Sequence, residues 1–108
     1  MKPRTMKKNE ILDLSFDFAL EIIKLVKYLK ANKEFVMSSQ LLRSGTSIGA
    51  NISEAQAAQS TNDFISKMSI ASKEARETEY WLRLLDKSNY LDEYQNKSVL
   101  YWIDSINS

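Results

Sequence analysis

The sequence contains no histidine and no cysteine, and only two glycines and one proline in 108 residues. Each shortage excludes something. Without cysteine there are neither disulfides nor thiolate metal sites. Without histidine the usual acid–base group near neutral pH is missing, and so is the commonest metal ligand. Helical bundles that hold paired metal ions normally use Glu-x-x-His pairs, and none can be built from this chain. No catalytic residue, no metal site and no cofactor is therefore expected. The scarcity of glycine and proline bears on fold instead. Strands need many turns, turns consume these residues, and so long helices joined by a few short connections are the better reading.

What is present fits a single globular domain. The chain is 44% hydrophobic and 27% charged, outside the disordered range, and 108 residues suffice for one core without staples. Fifteen Lys and Arg against fourteen Asp and Glu leave a formal charge of +1, too small to draw the whole protein to nucleic acid or an anionic membrane. The most apolar stretch, residues 11–29, carries Asp13, Asp17, Glu21, Lys24 and Lys27, so it is neither a signal peptide nor a membrane span. A cytoplasmic protein without a small-molecule substrate is expected.

The periodicity predicts an all-α fold of four helices. Residues 1–8 have four basic side chains and no pattern, and read as a flexible arm. Asn9 is a candidate N-cap for a first helix over 10–30, with Glu10 and Asp13 near its positive end and Lys24, Lys27 and Lys30 towards its negative end. At 100° per residue its apolar positions, from Ile11 and Leu14 to Ile22, Ile23 and Leu29, spread over an arc of roughly 200°, about twice what one core contact needs. Either this helix sits deep within the bundle or part of its apolar face meets another subunit. Each helix of a four-helix bundle has an outer side, so self-association is the favoured reading. A connection over 31–37 holds Phe35 and Val36, expected to fold back over the end of the bundle. Ser38 or Ser39 would cap a second helix running to about Gln59. Ser60 with Asp63 marks the start of a third, over 61–87, whose seam is Phe64, Met68, Ala71, Ala75, Thr78, Leu82 and Leu85. Asn89 ends it. Asp92 would cap a fourth helix burying Val99, Trp102, Ile103 and Ile106.

Three constellations stand out. Arg43, Ser47, Asn51 and Glu54 share one face of the second helix, and Glu74 and Glu77 share a face of the third. The expected role is a structural polar network, with Arg43 on a carboxylate and Asn51 bridging helices, because unpartnered inward polar groups cost about 1–3 kcal/mol each. A ligand site of carboxylates plus arginine is the sharper alternative, but no activated nucleophile accompanies it. Gly45 and Gly49 form a Gly-x-x-x-Gly ridge continued by Ser53 and Ala57. Two helix-interior glycines cost roughly 1 kcal/mol each, so close approach of another helix is expected as compensation. Lys2, Arg4, Lys7, Lys8, Lys24, Lys27, Lys30 and Lys33, eight of the fifteen basic residues, lie before residue 34, against four acids. In a ring of subunits such a patch is multiplied at one rim and could hold RNA or DNA. Trp81, Trp102, Tyr80, Tyr90, Tyr94 and Tyr101 could stack on bases, although helical spacing makes core and interface positions the plainer reading.

The stretch from Gln40 to Leu85 resembles a bacterial family of four-helix-bundle proteins encoded within intervening sequences of 23S rRNA genes. Its pattern is met at Gln40, Leu41, Arg43, Ser47, Ile48, Asn51, Ile52, Glu54, Ala71, Glu74 and Glu77. Family members often carry Pro where Gly49 stands and Gly where Ala55 stands. The resemblance implies an antiparallel up-down-up-down four-helix bundle assembled as a ring, commonly a homopentamer. It also points to the accessory variability proteins of diversity-generating retroelements, which are more basic and bind nucleic acid and a reverse transcriptase. The sequence thus predicts an oligomeric, non-enzymatic bundle that binds RNA or DNA through a basic rim. The alternative is a structural or protein–protein adaptor without nucleic acid.

Overall fold

Proline at the first position of a helix loses no hydrogen bond, because the first amides of a helix have no partner within it. Nothing between Pro3 and Ala31 breaks a helix thereafter, and α1 spans Pro3–Ala31. The computed structural model describes residues 3–95, 99 and 103, with side chains from residue 10 onward. The flexible arm expected over residues 1–8 is thus helical from Pro3, and Asn9 lies inside α1 rather than capping it. At 1.5 Å per residue the 29 residues of α1 account for the 43 Å long axis of the molecule.

α1 ends in a tight turn. Lys33 takes a left-handed conformation (φ 67°), and the Glu34 amide returns to the Leu29 carbonyl at 2.8 Å. This closure is the one that usually uses glycine. The turn also aims Phe35 and Val36 outward, at 57% and 75% exposed, so they do not fold back over the bundle end as expected. α2 then spans Val36–Gln56, starting earlier and stopping earlier than the sequence indicated. Neither Ser38 nor Ser39 is its cap. The carboxylate of Glu34 accepts from the Ser38 amide at 2.9 Å, while the Ser38 hydroxyl donates to the Phe35 carbonyl.

α3 spans Thr61–Lys87, as the sequence predicts, with the Ser60 hydroxyl accepting from the Asp63 amide at 3.0 Å. Asn89 (φ 72°) follows its C-terminal end in the left-handed conformation. Ala71, Ala75, Thr78, Leu82 and Leu85 form its buried seam, while Phe64, at the first turn, remains 37% exposed.

The described residues thus hold three helices and no strand. The fourth helix of the expected bundle falls largely outside them, including Trp102 and Ile106. Val99 and Ile103 are helical and buried, and with Leu91 they join the core of Phe18, Ile22, Leu25, Leu29, Leu41, Ile48 and Ile52. α2 packs against both α1 and α3, whose own backbones stay apart. Gly49 lies beside Ser15 and Gly45 beside Ile22, while Ser44 meets Thr78 and Glu54 meets Lys67. Both contacts therefore run antiparallel.

Candidate functional site

Two surfaces of the framework carry distinctive chemistry. The first is the polar seam between α2 and α3. Arg43 Nη1 lies 3.1 Å and 3.3 Å from the two carboxylate oxygens of Glu74, and Nη2 donates to Glu77. Glu77 also accepts from the indole N–H of Trp81 at 3.0 Å, one helical turn on. Gln40 Oε1 accepts from the other edge of the guanidinium at 3.3–3.4 Å. The arrangement is a fork of donors closed on acceptors from both helices.

The remaining members expected in this network go elsewhere. Asn51 does not bridge helices through its amide group: Nδ2 donates to the Ser47 carbonyl on its own helix at 2.8 Å. The Ser47 hydroxyl likewise turns back to the Ser44 carbonyl at 3.0 Å. Both residues follow the usual habit of short polar side chains inside helices. Glu54 pairs with Lys67 at 2.9 Å, and this hydrogen bond and charge hold the Lys67 ammonium above its ordinary pKa. Beneath the seam, Thr78 Oγ1 stands 2.9 Å from Ser44 Oγ and 2.7 Å from the Glu74 carbonyl, fully buried. The sequence reading did not place Gln40, Trp81, Lys67 or the Ser44–Thr78 pair in this network. The spacings Gln40–Arg43 and Glu77–Trp81, three and four residues, were the available signal.

The second surface lies on α1. Its inner positions Phe18, Ile22, Leu25 and Leu29 are completely buried, whereas Phe16, Leu20 and Ile23 point outward at 63%, 45% and 37% exposed. The wide apolar arc is thus split between core and solvent. Beside Phe16 runs a groove of about 390 Å³, walled by Leu12 and Ala19 of α1 and floored by Thr46, Gly49, Ala50 and Ser53 of α2. The groove is shallow-walled on α2 because the helices touch along the glycine ridge. A Cβ on Gly45 would stand 2.9 Å from two carbons of Ile22, and one on Gly49 would stand 3.1 Å from Ser15 Oγ. Gly45 and Gly49 therefore serve the contact between α1 and α2 within one chain.

Lys24, Lys27 and Lys30 are exposed, and Lys24 is paired with Glu21 at 3.1 Å. The side chains of Lys2, Arg4, Lys7 and Lys8 lie outside the described residues. Tyr80 and Tyr90 are exposed, whereas Tyr94 packs on Tyr28 with ring centroids 4.9 Å apart. Among the described residues no helix is long and apolar enough to cross a membrane. None of their buried side-chain nitrogens and oxygens lacks a hydrogen-bond partner.

A model of the family described as 23S rRNA-intervening sequence protein matches residues 7–108. The chain belongs to this family. It is also similar to a crystal structure from Bacteroides thetaiotaomicron, a protein of unknown function from the S23 ribosomal protein family. The two share 54% identity and a TM-score of 0.87, over 94% of this chain and 91% of that one. No functionally curated protein matches. Gln40, Arg43, Glu74 and Glu77, four of the eleven residues that carry the family resemblance, form one contiguous contact in which Arg43 joins α2 to the two glutamates of α3.

Proposed function

We propose that this chain is a non-enzymatic assembly module, an antiparallel up-down-up-down four-helix bundle that associates with copies of itself through the outward side of α1. Its fourth helix would run through Val99 and Ile103 and stand between α1 and α3. The observation that supports the reading is the row of Phe16, Leu20 and Ile23, exposed in successive turns beside a groove floored by small residues. Single exposed apolar side chains are ordinary, but an aligned row marks an interface. Covering what remains open of these three releases on the order of 3 kcal/mol per copy. The homopentameric ring implied by the family resemblance is the expected assembly, in the cytoplasm. Native mass spectrometry of the wild-type chain and of Phe16→Lys/Leu20→Lys tests it. An oligomer that the double substitution converts to a folded monomer is expected, and a wild-type monomer would sink the proposal.

A second property is supported by the exposure of Lys24, Lys27 and Lys30. In a closed assembly these lysines, with Lys2, Arg4, Lys7 and Lys8, repeat once per subunit, and affinity for phosphates grows with the number of such contacts. The protein would then hold RNA or DNA at that rim, as the accessory variability proteins do, and 23S rRNA segments are the first ligands to try. Binding should weaken steeply between about 50 and 200 mM salt. No binding at low salt would leave the structural or protein–protein adaptor role.

A further inference from the structure

We infer that the outward face of α3 binds single-stranded nucleic acid, with Tyr80 as the platform on which a base stacks. The inference rests on the nucleic-acid reading proposed above and adds a site on a different helix. Of the seven basic residues that follow Lys33, four stand on α3 as Lys73, Arg76, Arg83 and Lys87. All four are exposed, and so are Tyr80, at 58%, and Leu84, at 38%. At 100° per residue the four cations and Leu84 fall within about 60° of Tyr80, on the side of α3 opposite its buried seam. From Lys73 to Lys87 the stripe is about 21 Å long, at 1.5 Å per residue, with Tyr80 at its middle.

The ring at the centre is held in place. Tyr80 packs edge-on against Trp81, the centroids 5.4 Å apart at 69°. Trp81 donates its indole N–H to Glu77, and Glu77 accepts from Arg43. The seam between α2 and α3 therefore also steadies the aromatic pair outside it. A ring already steadied loses little freedom when a base settles on it. Beside it opens a groove of about 480 Å³ lined by Arg76, Arg83, Leu84 and Lys87. Two acids border the stripe. Glu77 is taken up by Arg43 and Trp81, and Glu79 stands about 100° round the helix from Tyr80.

The arrangement suits a strand better than an acidic partner helix. A docking helix is anchored by apolar side chains that recur along the whole contact. Here Tyr80 and Leu84 sit together at the centre, with cations before and after them. Cations on either side of an aromatic ring match the phosphates on either side of a base. Guanidinium groups add to this, because their flat faces also stack on bases. A duplex keeps its bases stacked on one another and offers Tyr80 no open face, so the ligand is single-stranded.

The experiment is fluorescence anisotropy of labelled poly-U and poly-dT strands with the full-length chain and its variants. Arg76→Gln/Arg83→Gln should bind at least about tenfold more weakly at low salt. It should also flatten the slope of log affinity against log salt by about 1.4, at about 0.7 per phosphate contact on a single strand. Tyr80→Ala should weaken binding about fivefold or more, and Tyr80→Phe should retain most of it, because the ring stacks and the hydroxyl does not. All of these side chains are exposed, so the variants should unfold as wild type does. An abasic strand should bind wild type more weakly than poly-U and should not respond to Tyr80→Ala. Polyglutamate or a duplex bound as tightly as poly-U overturns the stacking site. So does a changed subunit number in Arg76→Gln/Arg83→Gln with unchanged strand affinity, which would make this face a contact between copies. Binding lost in Lys24→Gln/Lys27→Gln/Lys30→Gln but kept in every α3 variant overturns the α3 site and leaves the reading above intact. A wild-type chain that binds no strand at low salt overturns both.

Discussion

Arg43 and Glu74 are joined by one guanidinium nitrogen lying 3.1 Å and 3.3 Å from the two oxygens of the carboxylate, across the seam between α2 and α3. The Arg43 side chain is half exposed and that of Glu74 is 18% exposed, so water screens the attraction. Exposed ion pairs contribute up to about 1 kcal/mol. Glu74→Gln should therefore cost about 0.5–1 kcal/mol in urea unfolding. Arg43→Ala should cost more, about 1–2 kcal/mol, because it also leaves Glu74 and Glu77 facing each other one turn apart. Arg43→Lys should recover only part of that loss, since an ammonium cannot grip both carboxylates in a planar fork.

The two glycines of α2 should respond differently to alanine. Either substitution gains about 1 kcal/mol of helix propensity. At Gly45 the new methyl falls 2.9 Å from Ile22 Cγ1 and Cγ2 and 3.3 Å from its Cβ, atoms close to the backbone that have little room to move. Overpacking of that kind costs about 1–3 kcal/mol, so Gly45→Ala should destabilise. At Gly49 the nearest atoms are Ser15 Oγ at 3.1 Å and Cβ at 3.4 Å, which need shift only slightly. Gly49→Ala should fall within about 0.5 kcal/mol of wild type. Equal losses at both sites in thermal unfolding would contradict the packing described here.

Lys33 holds a left-handed backbone that costs a side-chain-bearing residue about 1 kcal/mol. Lys33→Gly should stabilise the protein and raise Tm by about 4 °C. Asn89→Gly, at the matching conformation after α3, should gain less, because asparagine already tolerates this region. Calorimetry of the two variants reads the difference directly.

Tyr94 should make stability fall in alkali. Its burial against Tyr28 raises the phenol pKa, and the negative charge of Glu21 adds to the effect. A group whose pKa is higher folded than unfolded contributes fully below the unfolded value, about 10, and loses that contribution as pH rises through the folded value. Urea midpoints of wild type should drop as pH climbs past about 10, and Tyr94→Phe should drop less steeply. Identical slopes would remove Tyr94 from the account.

The sequence made α3 legible from end to end because both of its boundaries are local devices, the Ser60 hydroxyl on the Asp63 amide and the left-handed Asn89. The start of α1 was not legible. Asn9 has the form of a cap, yet the segment from Pro3 onward contains nothing that forbids helix, and a continuing helix needs no cap there. Phe35 and Val36 were misplaced because hydropathy alone says bury them, whereas the turn at Lys33 decides where they point. Among the polar residues, Arg43, Glu74 and Glu77 were recoverable from shared faces on two neighbouring helices. Asn51 and Glu54 lie on the same face, but one found a carbonyl of its own helix and the other a lysine of α3, choices that depend on neighbours rather than on spacing.

The separation of α1 from α3 makes α2 a shared wall, with one flank serving each. Its glycine ridge fits α1, its aliphatic positions fill the core, and its Arg43 and Glu54 answer α3. A wall used from both sides can change little without disturbing one neighbour or the other, so a substitution on α2 is felt in two contacts at once.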